Sequence, residues 1–298
     1  MYYFLLVGFF ALKRKLIFFI VALLLVFNIF VFTRVWKIYH PRLAVYFLDV
    51  GQGDAAVIVF PGKEVCIIDG GRRSNFIDYG ERVIIPFLCS RGITHIHTII
   101  ATHPDVDHYG GLISVIEHFP VGKLLVNGSS KESFLYKKLL ATAQEKGTPV
   151  YTVGRGEVLR IGQHKMYVLN PPSVDMVDIL PTNEGSIVLK LGYGKVTFLF
   201  TGDFPNRVLK LPGSCLSSTV LKFSHHGAAF SKLSTFLCTV RPEIATISVG
   251  RDNPFGHPEC ENIQMLKQSG CRVYRTDTDG AITLITDGKT IRTALMIR

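Results

Sequence analysis

Acidic residues are missing from the first 42 positions, which carry six Lys or Arg (13, 14, 15, 34, 37 and 42). A stretch without a carboxylate, built on an uncharged apolar run at 16–33, excludes a solvated surface segment. No small-x-small cleavage motif follows that run, which favours an uncleaved anchor over a signal peptide. Paired cysteine spacing is also absent. Cys66, Cys89, Cys215, Cys238, Cys260 and Cys271 are scattered, which excludes a zinc ribbon or finger. Some of them, as in Val65-Cys66-Ile67, sit in apolar contexts and read as small core residues. No internal repeat or low-complexity segment follows residue 42, so the remainder reads as one folded domain.

What is present at the N-terminus fits a membrane. The run at 16–33 has only Asn28 and Thr33 as polar residues. As a helix it reaches about 27 Å, near the hydrocarbon thickness of a bilayer. Lys13-Arg14-Lys15 flanks one end, and Arg34, Trp36 and Lys37 flank the other. We expect a single-pass anchor and short linker over 1–42, and a second domain over 43–298. Residues 1–12 are apolar but too short to span. They read as the tail of a preceding membrane helix, with Lys13 to Lys15 as a loop. From Lys37 to Arg42 an extended chain reaches about 20 Å, so the domain is expected against the bilayer. The basic triplet places the N-terminal end in the cytoplasm and the domain outside the cell membrane. Six free thiols pull the other way, towards a reducing compartment.

The most informative segment is Thr102-His103-Pro104-Asp105-Val106-Asp107-His108-Tyr109-Gly110-Gly111. It follows Thr98-Ile99-Ile100-Ala101, which reads as a buried strand, and precedes an apolar helix. A packed core has no use for two imidazoles and two carboxylates at a strand end unless they are solvated or ligated. A loop leaving a strand can aim alternating side chains at one point. His103 and Asp105 can thus share one divalent metal, and Asp107 and His108 a second one nearby. Three more apolar strands end in polar residues of the same kind. Val196 to Phe200 runs into Thr201-Gly202-Asp203, and Val220 to Phe223 into Ser224-His225-His226-Gly227. Ile244 to Val249 runs into a loop carrying Asn253 and His257. Singly, Asp203 is a helix cap and His257 a loop histidine; their shared placement past strands argues for one site. Asp203 is placed to bridge two metals.

Strands are expected near 43–49, 55–60, 65–69, 95–102, 186–192, 195–200, 219–223, 244–249 and 271–275, with short ones near 150–169. Helices are expected near 80–90, 110–118, 131–146, 231–239 and 258–269. Asp279-Gly280 and Asp287-Gly288 read as hairpin turns. Two apolar sheets covered by amphipathic helices make an α/β, four-layer αββα sandwich.

In order along the chain stand Phe47 to Ala55, Ile68-Asp69-Gly70-Gly71, the His103 cluster, Asn183 with Ser186, Thr201-Gly202-Asp203, Leu221 to Gly227, Asn253 to Pro258, and Tyr274 to Asp277. This set resembles the metallo-β-lactamase superfamily, and more closely the C-terminal hydrolase domain of ComEC-type proteins of bacterial DNA uptake. The likeness covers roughly residues 43–287. It implies the αββα metallo-β-lactamase sandwich and one or two divalent ions held by His103, Asp105, Asp107, His108, Asp203 and His225 or His226. Asp105 stands where the wider superfamily has His. The usual lone His before the bridging Asp is absent, with Asn183 and Ser186 in that region. Oxygen-rich ligation shifts preference from Zn2+ towards Mn2+ or Mg2+.

The function expected is metal-dependent hydrolysis of a phosphodiester. Asp107 would orient or deprotonate the attacking water, and His257 would donate to the leaving oxygen. Asn253 is a second hydrogen-bond candidate or a turn residue. Asp49, Asp54 and Asp69 read as Asx-type turn residues beside glycines, and His95 and His97 as bystanders. Beyond residue 42 the charge is 27 basic against 23 acidic, a net +4, which permits phosphate binding without requiring it. The resemblance implies DNA as substrate and a separate channel component as partner, since ComEC-type proteins carry a multi-helix channel that this chain lacks or has in shortened form. The alternatives are a hydrolase of a small phosphoester or lactam, and a membrane-bound assembly component with a vestigial site.

Overall fold

The computed structural model describes residues 2–39, 41–131, 133–205, 213–229 and 232–296, with backbone alone described for 4–13, 34–39 and 213–214. It divides into two units, at 1–41 and 42–298. The first is one helix, α1 (Tyr2–Tyr39). Lys13 to Lys15, expected as a loop, continue it, because lysine and arginine are good helix formers. Within it Arg14–Thr33 is a 20-residue segment long and apolar enough to cross a membrane by length and composition. The side chains of the flanking Lys13, Arg34, Trp36 and Lys37 lie outside the described residues.

Among its described residues the second unit holds fifteen strands. They are β1 (Leu43–Phe47), β2 (Ala56–Val59), β3 (Val65–Ile68), β4 (Thr98–Ile100) and β5 (Leu124–Val126). Next come β6 (Val150–Thr152), β7 (Val158–Ile161), β8 (His164–Asn170), β9 (Val188–Tyr193) and β10 (Val196–Phe200). The last are β11 (Val220–Lys222), β12 (Ile244–Ile247), β13 (Arg272–Arg275), β14 (Ala281–Thr286) and β15 (Ile291–Met296). Between them lie α2 (Ile85–Ser90), α3 (Val106–Tyr109), α4 (Leu112–His118), α5 (Phe134–Glu145), α6 (Gly213–Leu216), α7 (Leu233–Val240), α8 (Cys260–Gln268) and α9 (Thr276–Asp279).

The strands form two sheets, ordered β15-β14-β1-β2-β3-β4-β5-β6 and β13-β12-β11-β10-β9-β8-β7. Three apolar layers explain the stacking. Cys66 and Ile68 of β3 face the interior between the sheets, with Phe47, Phe198 and Phe200. Val65 and Ile67 of the same strand face outwards onto Leu112, Ile116 and Leu139 of α4 and α5. Leu221 and Ile247 of the second sheet pack likewise under Leu233 of α7 and Leu266 of α8. Strands apolar on both faces demand cover on both, which is the four-layer αββα arrangement. Each buried Leu or Ile contributes about 1.5–3 kcal/mol of transfer free energy.

One turn differs from expectation. Asp279-Gly280 closes α9, and β13 and β14 belong to different sheets, so the segment is a crossover and not a hairpin. Asp287 does turn β14 into β15, accepting from the amides of Lys289 (2.9 Å) and Thr290 (2.8 Å). Strands β3, β4 and β5 run parallel, as do β10 to β13. Their C-terminal ends open on one side of the sandwich, where loops from both sheets meet.

Candidate metal centre

The loop after β4 carries the cluster, and two neighbouring segments brace it. The Asp54 amide donates to the Asp107 carbonyl at 3.2 Å, and the Gly70 amide donates to that of His108. A Cβ on Gly53 would lie 2.4 Å from the Asp107 carbonyl oxygen, and its φ is +150°, so only glycine lets this hairpin lie on the loop.

Three imidazoles are fixed by their Nδ1 atoms, each in a different way. His108 Nδ1 donates to Asp69 Oδ2 at 2.9 Å. His226 Nδ1 donates to the Ser248 carbonyl at 2.9 Å. The Thr102 hydroxyl donates to Asp69 Oδ2 at 2.8 Å, which leaves its oxygen to accept from His103 Nδ1 at 3.0 Å. In every case Nδ1 is engaged and Nε2 points inwards, where it offers a lone pair once its proton leaves. Among the described residues the Nε2 atoms of His103, His108 and His226 are buried without a hydrogen-bond partner, as are Asp203 Oδ1 and Asp54 Oδ1. These nitrogens gather around Asp203 Oδ2, at 4.0 Å for His103, 3.2 Å for His108 and 3.7 Å for His226. His226 Nε2 also stands 3.5 Å from Asp107 Oδ2. Potential ligand atoms of His103, His108 and Asp203, and of Asp107, His108 and His226, lie within 4.8 Å of one another. Orphaned, buried lone pairs converging on carboxylates are costly in a folded protein unless a cation meets them, so the donor set fits a divalent metal.

Electrostatics agree. Burial alone would raise Asp203, yet the imidazoles of His108 and His226 hold it well below the usual carboxylate range. Burial opposes a proton on His108 and His226, but Asp203 and Asp69 raise the first well above 6.5, and Asp203, Asp107 and Asp54 raise the second to about 10. Without a metal, the acidic pocket captures protons on His108 and His226.

Other expected residues fall at graded distances. Asp105 Oδ2 lies 3.5 Å from His103 Nε2, while its Oδ1 accepts from Lys131 Nζ at 2.6 Å. Of the His225-His226 pair, His226 is buried in the cluster and His225 is half-exposed at the rim, its Nε2 3.9 Å from Asp203 Oδ2. Both take left-handed backbone angles, φ +50° and +53°, strain that non-glycine residues accept mainly where surroundings enforce it. His257 stands beyond His225, their rings 6.1 Å apart, and burial with His225 keeps its pKa below 6.5. Asn253 directs its whole amide into its own loop, donating to Gly250 O and His257 O and accepting from Phe255 N and His257 N. That geometry is the turn-residue alternative. Ser186 is buried with its hydroxyl unpartnered among the described residues. His95 and His97 contact each other at the far end of β4.

Two carboxylates read as turn residues do otherwise. Asp49 does make the expected turn bond, to the Gly51 amide at 3.2 Å. Asp69 instead accepts from Thr102 N, Thr102 Oγ1 and His108 Nδ1, orienting two imidazoles at once. Asp54 is buried against Lys222 Nζ and lies 3.5 Å from His226 Nδ1. Lys222 and Lys131, neither anticipated, are cations beside the cluster. Their signal in the sequence was weak: Lys222 is a lone charge inside an apolar strand.

A family model described as the metallo-beta-lactamase superfamily matches residues 48–251. The chain is 31% identical over 259 residues to ComE operon protein 3 of Bacillus subtilis, covering 79% of this chain and 32% of that protein. It is 27% identical over 244 residues to Competence protein ComA of Neisseria gonorrhoeae, covering 80% and 32%. The chain thus spans about a third of the length of these relatives. Among solved structures, Zn2+-bound PqqB from Methylobacterium extorquens superposes with a TM-score of 0.53 at 12% identity, over 82% of this chain and 99% of that one. That likeness concerns the fold. With its αββα layers, its ordered His and Asp cluster and the match over 48–251, the chain belongs to the metallo-β-lactamase superfamily and is related to competence proteins.

Proposed function

We propose that the chain is a membrane-anchored, divalent-metal phosphodiesterase that cleaves DNA in the course of DNA uptake. The observation that carries this is the set of three buried, unpartnered Nε2 atoms facing Asp203 and Asp107. His108, His226, Asp107 and Asp203 would hold one cation, and His103 and Asp105 with Asp203 a second, nitrogen-poor one, suited to Mn2+ or Mg2+ as well as Zn2+. When bound, such a cation lowers the pKa of water and neutralises charge on the phosphate. The chain's own groups do the rest. Asp69 holds His108 and His103 in the tautomers that present Nε2. Asp107, part-exposed at the mouth, orients the attacking water. His257, neutral at pH 7, donates a hydrogen bond to the leaving oxygen.

DNA as substrate is supported by the names of the relatives and by the mildly basic second unit. The apolar helix supports membrane anchoring, with the hydrolase unit outside and a separate channel component as its partner. A small phosphoester is the second reading, favoured by a polar cavity of about 260 Å3 beside the metal loop, lined by Pro104, Asn127, Ser129, Lys131 and Thr182. The test is cleavage of single-stranded DNA by the full chain in detergent across Mn2+, Mg2+ and Zn2+. We expect Mn2+-stimulated cleavage that Asp107→Ala abolishes. Turnover of small phosphodiesters with no DNA binding at low salt would favour the second reading, and no turnover with any metal would favour a vestigial site. Protease accessibility in intact cells tests the orientation.

A further inference from the structure

A row of rings leads out of the site. His225 Nε2 stands 3.9 Å from Asp203 Oδ2, and its ring is 6.1 Å from that of His257. The His257 ring stacks on Phe255, centroids 5.9 Å apart and planes at 19°. Phe255 is 62% exposed, the outermost step of the row. Its loop is locked: Asn253 Oδ1 accepts from Phe255 N at 3.2 Å and from His257 N at 3.0 Å, while Asn253 Nδ2 donates to His257 O at 2.7 Å. A large apolar face is thus presented in the open on a loop whose backbone Asn253 ties down.

On the other branch of contacts from Asp203 stands a cation. Lys131 Nζ meets Asp105 Oδ1 at 2.6 Å, Asp105 Oδ2 stands 3.5 Å from His103 Nε2, and His103 Nε2 stands 4.0 Å from Asp203 Oδ2. An ammonium and an exposed ring therefore lie at the two ends of one line of contacts through Asp203. A ligand that is anionic on one side of the reacting centre and flat and apolar on the other matches this line. A polynucleotide strand has that alternation, phosphate and base. A duplex keeps its bases stacked inside itself and has none to offer a ring.

We propose that Phe255 is a base-stacking platform for single-stranded nucleic acid, with Lys131 meeting a phosphate on the far side of the metal loop. This rests on the phosphodiesterase reading and names its substrate form. The test measures binding of a labelled, cleavage-resistant phosphorothioate oligothymidylate and of a duplex to the full chain in detergent with Mn2+. Phe255→Ala and Phe255→Leu should weaken single-strand binding about 5- to 150-fold, Phe255→Tyr should restore it, and duplex binding should change less. Lys131→Gln should lower the salt dependence of single-strand binding by about one phosphate contact. Unchanged affinity in Phe255→Ala overturns the platform while cleavage by the wild type leaves the enzyme reading standing. A wild type that cleaves small phosphodiesters but binds no oligonucleotide overturns the platform and the DNA substrate together. Binding that depends on Phe255 without any cleavage upholds the platform and overturns the enzyme reading.

Discussion

Asp69→Asn is the most searching change to the site, because it alters one atom and leaves the shape. Asp69 Oδ1 accepts from Thr102 N at 2.8 Å, a bond that the asparagine oxygen keeps. Asp69 Oδ2 accepts from Thr102 Oγ1 at 2.8 Å and from His108 Nδ1 at 2.9 Å. An amide nitrogen there would face two donors. His108 can answer only by moving its proton to Nε2, which removes the lone pair aimed at the metal. Thr102 must turn its hydroxyl, which loosens His103 as well. Asn tolerates the +58° φ at this position, so the backbone adds no strain of its own. Losing an outer partner of a metal-ligating histidine costs about 10- to 100-fold in metal affinity or activity. Folding should weaken by about 1–3 kcal/mol for the mismatched buried donors. Isothermal titration with Mn2+ and turnover of bis(p-nitrophenyl) phosphate read the first effect, and denaturant unfolding the second. Wild-type metal affinity and turnover in Asp69→Asn would refute the tautomer argument.

Further predictions follow from burial and charge. Lys222→Met leaves Asp54 buried, with burial pushing its pKa up and its cation gone. Breaking a buried pair from one side costs about 3–5 kcal/mol, so an unchanged unfolding midpoint would contradict the pairing. Metal binding should release protons, because His226, raised to about 10, and His108 hold them at neutral pH. Affinity should therefore climb with pH towards that value, and titrations in buffers of different ionisation heat should show the release; a pH-independent affinity without release would count against it. For metal-free protein the raised His226 adds stability that is complete below 6.5 and lost as pH rises to about 10. The lowered Asp203 adds stability present above 3.8 and lost as pH falls below it. Thermal unfolding in chelator should peak between these limits, and a flat profile from pH 3 to 10, roughly those limits, would disprove the linkage.

The cluster of His103, Asp105, Asp107 and His108 was legible in the sequence because its residues are nearly consecutive and follow an apolar strand. Asp69 was not. Beside Gly70 and Gly71 it has the local signature of a turn, and only the pairing of Ile68 with Ile100 across β3 and β4 sets it beside Thr102. Asp54 and Lys222 meet across 168 positions of chain, a separation that local pattern cannot bridge. The His225-His226 pair could not be divided by spacing, since a kink with positive φ at both residues decides which ring turns inwards. The layers were readable because the strands are apolar on both faces. Asp279-Gly280 was misassigned because turn chemistry does not say that the strands on either side join different sheets. Arg14–Thr33 announced itself by length and composition, whereas the Lys13 to Lys15 triplet was read as a break that helix propensity does not require.

His103, His108, His226, Asp107 and Asp203 would hold the divalent cation used in hydrolysis. Metal content by plasma mass spectrometry, measured on the wild type and on Asp107→Ala with phosphodiesterase turnover in the same samples, tests this assignment most directly. Bound metal and turnover are expected in the wild type, with loss of both and the fold retained in Asp107→Ala. Full metal content and full turnover in Asp107→Ala would contradict the assignment.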